Sequence, residues 1–311
     1  MNHWGLLIIV YLFMGGMGAG AYLTSFIANR GFLGHVPNLK YLGYMISAPI
    51  VALGTGLLVL DLGQGLRKPW LLFRLVTNFQ SVMSWGTIIL CCFIFIGLIR
   101  GYLAWKNKQS LKLLDYLGVI LAFATAGYTG MLLAAVSAIP FWNNGFIPIL
   151  FIISALSTGM SATTFLAYFI GKEPDEHRRV NLMHLILVAI ELLVLFLFFT
   201  ALSQGKMGAI AIQSERMLLY DKFSFAFWFF FVGIGLVGPL ILYLYNYFHA
   251  ANLWLRLKRF FANRKESETK NSIKNEFKYS WLCDIAILIG GFSLRCLIVL
   301  AALPLWNGLI N

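Results

Sequence analysis

The sequence predicts an all-α integral membrane protein with eight transmembrane helices. Three observations carry that prediction. Hydrophobic residues make up 60% of the 311 positions and charged residues only 12%, with a mean hydropathy of +0.80. A water-soluble domain cannot hide that much apolar surface. Eight stretches are each long enough to cross a hydrocarbon layer, which takes about 20 apolar residues in helical form. Tryptophans such as Trp4, Trp70, Trp85, Trp105, Trp142 and Trp281 fall near the ends of those stretches, where amphipathic rings settle at a membrane–water boundary.

The first predicted helix, 5–28, has no basic lead-in and is too long for a secretory core, so it reads as a retained span. It contains "GGMGAG". That run lacks the G-x-G-x-x-G spacing and follows no strand, which excludes a phosphate loop. Gly16 and Gly20, like Gly15 and Ala19, instead form a small-xxx-small face on which a second helix, or a flat ring, can lie closely. The second helix, 41–62, ends at Asp61, with Arg67 six residues on. A helix-end pair and a functional acid are both open readings there. The third spans 84–104.

The fourth helix, 113–135, holds Tyr128 between Gly127 and Gly130. A phenol can hydrogen-bond a carbonyl oxygen in apolar surroundings, or simply bond a neighbouring helix. The fifth helix spans 147–170. The sixth, 181–204, places Asn181, His184, Val188 and Glu191 on one face, a polar stripe suited either to proton movement or to inter-helix hydrogen bonds. The seventh, 224–248, follows Asp221 and Lys222. The eighth, 281–303, carries Arg295 about midway along, where a guanidinium needs a carboxylate, carbonyls or water. Glu191 and Asp61 are its candidate partners by depth. A polar, basic stretch at 252–279 separates the last two helices.

Charge sets the expected orientation. Of 24 Lys and Arg, 17 fall in or beside the loops after helices one, three, five and seven, counting Arg100 with the loop region after helix three, and six in the loops on the other side. Cations stay where translocation does not carry them. The 17-cation side is therefore expected to be cytoplasmic, with both termini outside. The net charge of +12 then reflects topology and anionic lipid, not nucleic acid.

Some chemistry is excluded by pattern. Five histidines (His3, His35, His177, His184 and His249) offer no pair facing across a bundle, so no haem is expected. Four cysteines without C-x-x-C spacing (Cys91, Cys92, Cys283 and Cys296) do not build an iron–sulfur site. No metal site is expected in this chain.

Several segments, in order, resemble the polysulfide reductase/NrfD family of membrane subunits. They are "YLFMGGMGAGAYL", "LDLGQGLRKPWLLFRLVTNFQSVMSWGT", "AGYTGMLLAAVSAIPFWNN", "PILFIISALSTGMSA" and "GGFSLRCLIVLAA". The resemblance implies two four-helix bundles in one membrane domain. It also implies a menaquinone site near the outer face of a bacterial inner membrane. Electrons would pass to an extracytoplasmic four-cluster, ferredoxin-like iron–sulfur subunit and on to a molybdopterin catalytic subunit. Tyr128, in its Gly-Tyr-Thr-Gly setting, is the implied quinone contact, joined by Asn2, His3 and Asp61. Glu191, His184, Arg295 and Asp61 are the expected proton-path residues, and Arg67, Arg74, Trp85 and Trp142 the expected partner interface. Two rival classes are a secondary transporter and a membrane anchor without a quinone site. A transporter should purify alone; an anchor should bring an iron–sulfur protein with it.

Overall fold

The computed structural model describes residues 5–34, 36–61, 81–108, 111–171, 178–204, 207–245 and 280–305. Asn2, His3, Arg67, Arg74 and the basic stretch 252–279 lie outside the described residues. Within them the chain is helical, with eight helices long and apolar enough to cross a membrane. These are α1 (Leu6–Asn29), α2 (Leu39–Asp61), α3 (Val82–Trp105), α4 (Lys112–Ala134), α5 (Phe146–Gly171), α6 (Arg178–Ser203), α8 (Ala226–Tyr245) and α9 (Ser280–Leu300). Their ends agree with the expected spans to within three residues, because hydropathy and length are local properties of the chain. One element was not expected. A short helix, α7 (Ala209–Leu219), precedes α8 and buries only Ala211, Ser214 and Leu218.

The helices form two groups of four. In the first, α1 packs on α2 and α4, and α3 joins α2 to α4, closing a ring. In the second, α9 joins α5 to α8, and α6 lies against α5. Rings join α6 to α8: His184 stacks on Tyr243 at 5.2 Å, and Phe199 meets Phe227 edge-on. The seam between the groups runs through α1 and α5. There Gly20 and Gly159 bring the two backbones together, and a Cβ on either would strike the other helix's backbone. Such close approach is the means by which membrane helices associate without a hydrophobic driving force. The face of α1 that carries Gly16 and Gly20 is therefore filled by α5 and, as shown below, by a guanidinium.

Helix α8 begins with wider winding over Ala226–Val237, seen in the bond from Gly238 N–H to the Gly233 carbonyl, five residues back. Gly235 of this stretch packs against Gly290 of α9.

Contacts identify which helix ends share a level. Ser25 Oγ donates to the Leu39 carbonyl at 2.5 Å, Arg30 lies over the Tyr116 ring, and Arg179 reaches the Gly31 carbonyl. The end of α1 and the starts of α2, α4 and α6 thus form one end of the molecule, here termed the basic end. At the opposite end Gly5 faces Asp61, and the Leu305 N–H donates to the Ala138 carbonyl.

Candidate functional site

Buried polar groups in a membrane helix carry a cost and so mark structure or function. The described residues hold three such centres, and α1 touches the first two with adjacent residues.

The first centre is Tyr128 on α4. The side chain is 5% exposed, and its ring occupies the space left by Gly86 on α3, where any Cβ would overlap it. Tyr11 of α1 is fully buried, its ring beside Gly15, which also faces Thr129, the residue after Tyr128. The Tyr11 hydroxyl has no hydrogen-bond partner. A buried hydroxyl left unbonded costs roughly 1–3 kcal/mol, so it is a natural place for a ligand oxygen. Asp61 lies at the far end of α2, with its Oδ1 facing Gly5. Tyr11 lacks the Gly-Tyr-Thr-Gly setting that singles out Tyr128 in the sequence; only its burial with an unbonded hydroxyl marks it.

The second centre is Arg295 on α9, which is 0% exposed. Nε donates to the Leu12 carbonyl at 3.1 Å. Nη1 donates to the Gly291 carbonyl at 2.7 Å and to Ser154 Oγ at 3.2 Å. Nη2 points at Gly16 and has no hydrogen-bond partner. The rings of Phe13 and Phe151 lie 5.6 and 5.3 Å from the guanidinium carbon. A central arginine costs about 2.5–3.5 kcal/mol on insertion scales, and charge-assisted hydrogen bonds of roughly 1.5–3 kcal/mol each offset it. Glu191 of α6 is 2% exposed, with Ser154 and Ser157 beside its carboxylate. Among the described residues no direct ion pair joins Glu191 to Arg295; Ser154 stands between them. Of the two expected partners, Glu191 is therefore the one near Arg295. Asp61 is not, because α2 carries it to the end of α1 opposite the basic end, where it faces Gly5.

The third centre lies toward the basic end and has two parts. In the first group of helices, Arg100 Nε sits 2.6 Å from Asp115 Oδ1, and the guanidinium covers the Tyr44 ring at 4.0 Å. Arg100, counted by charge with the loop region after the third helix, is instead buried within α3, paired with Asp115 in the first turn of α4. In the second group, His184 Nε2 approaches Asp284 Oδ1 at 3.7 Å. The sequence reading passed over Asp284 because it falls at the edge of the eighth apolar stretch, where acids are common.

Of the expected interface residues, Trp85 is 54% exposed near the start of α3. Trp142 is 1% exposed, and its Nε1 donates to the Ile298 carbonyl at 2.8 Å. Its indole is a strut between the α4–α5 connection and α9 and presents no surface to a partner. No group of three or more metal-ligating side chains occurs among the described residues.

A family model described as "Polysulphide reductase, NrfD" matches residues 1–255. The chain belongs to the NrfD family. NrfD-family relatives include Protein NrfD of Escherichia coli (strain K12), 27% identical over 77% of this chain and 83% of that protein. The C component of polysulfide reductase from Wolinella succinogenes is 27% identical over 77% of this chain and 82% of that protein. The C component of selenate reductase from Mesobacillus selenatarsenatis is 23% identical over 78% of this chain and 66% of that protein. The matched region of this chain includes Tyr128, Glu191 and the whole first group of helices; α9, with Arg295 and Asp284, lies beyond it.

Proposed function

We propose that this NrfD-family protein is the quinone-binding membrane subunit of a molybdopterin oxidoreductase complex. In that reading it oxidises menaquinol and passes electrons to an extracytoplasmic iron–sulfur subunit. One observation carries the site assignment: Tyr128 and Tyr11 are buried on the packed helices α4 and α1, and the Tyr11 hydroxyl has no protein partner. Bound quinol supplies the two electrons and two protons. The Tyr128 and Tyr11 hydroxyls hydrogen-bond its oxygens, and the apolar walls around them exclude water. Asp61, at the outer end of α2, receives protons released toward that side. Family membership and a relative named as part of polysulfide reductase support the assembly with a catalytic partner.

The experiment is purification of the tagged subunit from its native membrane, followed by quinol addition. An iron–sulfur protein should co-purify, and its clusters should be reduced by quinol. Tyr128→Phe should retain the partner and lose quinol-dependent reduction. Normal reduction in that variant would remove Tyr128 from the site, and isolation of the subunit alone would favour the transporter class.

A further inference from the structure

Each group of four helices carries one buried acid near the start of its last helix, at the basic end. In the first group this is Asp115. Its surroundings come from corresponding places on the other three helices: Tyr22 late in α1, Tyr44 early in α2 and Arg100 late in α3. In the second group it is Asp284. Its surroundings are Ser161 and Thr164 late in α5, His184 early in α6 and Tyr243 late in α8. The two clusters occupy the same position in two equivalent sets of helices, but their chemistry differs. Asp115 has a guanidinium at 2.6 Å as its fixed counter-charge. Asp284 has no lysine or arginine against it among the described residues. Its facing groups are two hydroxyls, a phenol, a thiol (Cys283) and an imidazole.

Two further features distinguish the second cluster. Asp284 Oδ1 and His184 Nδ1 are both buried without a hydrogen-bond partner. The cluster also continues inward. Thr164, Ser161, Ser157 and Ser154 are spaced by three, four and three residues, which sets them on one face of α5. Ten residues of helix span about 15 Å, half of a hydrocarbon core of about 30 Å. Asp284 stands at one end of this row beside Thr164 and Ser161, and Glu191 at the other beside Ser157 and Ser154. Thr164 satisfies its hydroxyl on the Met160 carbonyl, whereas Ser157 and Ser161 stand beside the carboxylates without closing a full hydrogen bond.

We propose that Asp284, assisted by His184, is a proton-binding site at the basic end, joined to Glu191 by the hydroxyl row of α5. Asp115 is its structural counterpart, held permanently in an ion pair. A buried carboxylate needs a counter-charge; where Arg100 supplies one in the first group, a proton supplies it in the second. The bound proton leaves the Asp284 carboxyl and passes by exchange at Ser161, at a water bridging the one-turn gap of about 5–6 Å, and at Ser157 to the Glu191 carboxylate. Each hydroxyl releases one proton as it accepts another. No heavy-atom bond changes and no electron moves. The site itself does not depend on the quinone reading; coupling of its proton to turnover does.

Infrared difference spectroscopy of the full-length protein in lipid nanodiscs, titrated with pH and exchanged into D2O, tests the site without quinone or partner. A protonated-carboxyl band that titrates and shifts in D2O should vanish in Asp284→Asn, return at a changed frequency in Asp284→Glu, and persist in Arg100→Met/Asp115→Asn. Persistence of the whole band in Asp284→Asn, or its loss in the Asp115 variant, overturns the proposal. In vesicles of the whole complex, Asp284→Asn should lose proton uptake from the basic side while quinol oxidation in uncoupled vesicles continues. Uptake unchanged in that variant overturns the conduit. Absence of quinol oxidation in the wild type would instead count against the quinone reading, and the infrared result would still decide the fate of Asp284.

Discussion

Gly16 on α1 faces Arg295 on α9 so closely that a methyl group at residue 16 would stand 2.7 Å from Nη2 and 3.3 Å from the Ala155 Cβ. The glycine is thus the floor of the guanidinium site. Gly16→Ala should force Arg295 off the Leu12 carbonyl or push α5 outward. Overpacking of this kind costs typically about 1–3 kcal/mol. A thermal-unfolding assay in detergent should show a lowered midpoint. Gly31→Ala is not an equivalent control, because its φ of +80° disfavours a side chain; Gly56→Ala, with nothing within 4 Å, is one.

The Arg100–Asp115 pair should behave as a buried ion pair. Removing one partner leaves an uncompensated charge and typically costs about 3–5 kcal/mol, whereas removing both with apolar replacements is close to neutral. Asp115→Leu or Arg100→Met alone should therefore lower folded yield sharply, and the double variant should recover most of it. Yields that fall further in the double variant would contradict this account.

Gly86→Ala should act on Tyr128 without touching its hydroxyl. The new methyl would overlap the ring, so Tyr128 must rotate. Quinol-dependent cluster reduction should fall in Gly86→Ala as it does in Tyr128→Phe. Tyr11→Phe should weaken quinol binding, read as a raised KM, and leave the fold intact because its hydroxyl bonds nothing in the protein.

The two tryptophans expected at a partner surface should separate cleanly. Trp142→Phe loses the bond to the Ile298 carbonyl, worth about 0.5–1.5 kcal/mol, and should lower stability without changing partner co-purification. Trp85→Ala removes an exposed ring and should leave stability almost unaltered. If Trp85 belongs to the interface, pull-down of the partner should weaken in that variant.

Glu191→Gln keeps the shape of the side chain and removes its charge. Proton uptake per quinol should fall, while Arg295 keeps its bonds to Leu12 and Gly291. Unaltered rate and proton stoichiometry would remove Glu191 from any conduit.

The sequence by itself determined the eight spans, because crossing a hydrocarbon layer is a demand on length and composition that each segment meets alone. It also marked Glu191 and Arg295, since an ionisable group in an apolar helix stands out wherever it sits, and Tyr128 by its Gly-Tyr-Thr-Gly setting. The tertiary structure decided what those groups face. Arg295 bonds Leu12 across 283 positions of sequence, and no local pattern encodes that distance. The glycines of α1 read as a groove in the sequence; only the packing revealed that α5 and a guanidinium fill it. Trp142 reads as a boundary ring until its indole is found inside, bonded to α9. The contrast between Asp115 and Asp284 is likewise tertiary: both are single acids near helix starts, and what separates them is whether the neighbouring helix brings a guanidinium or an imidazole to the same place.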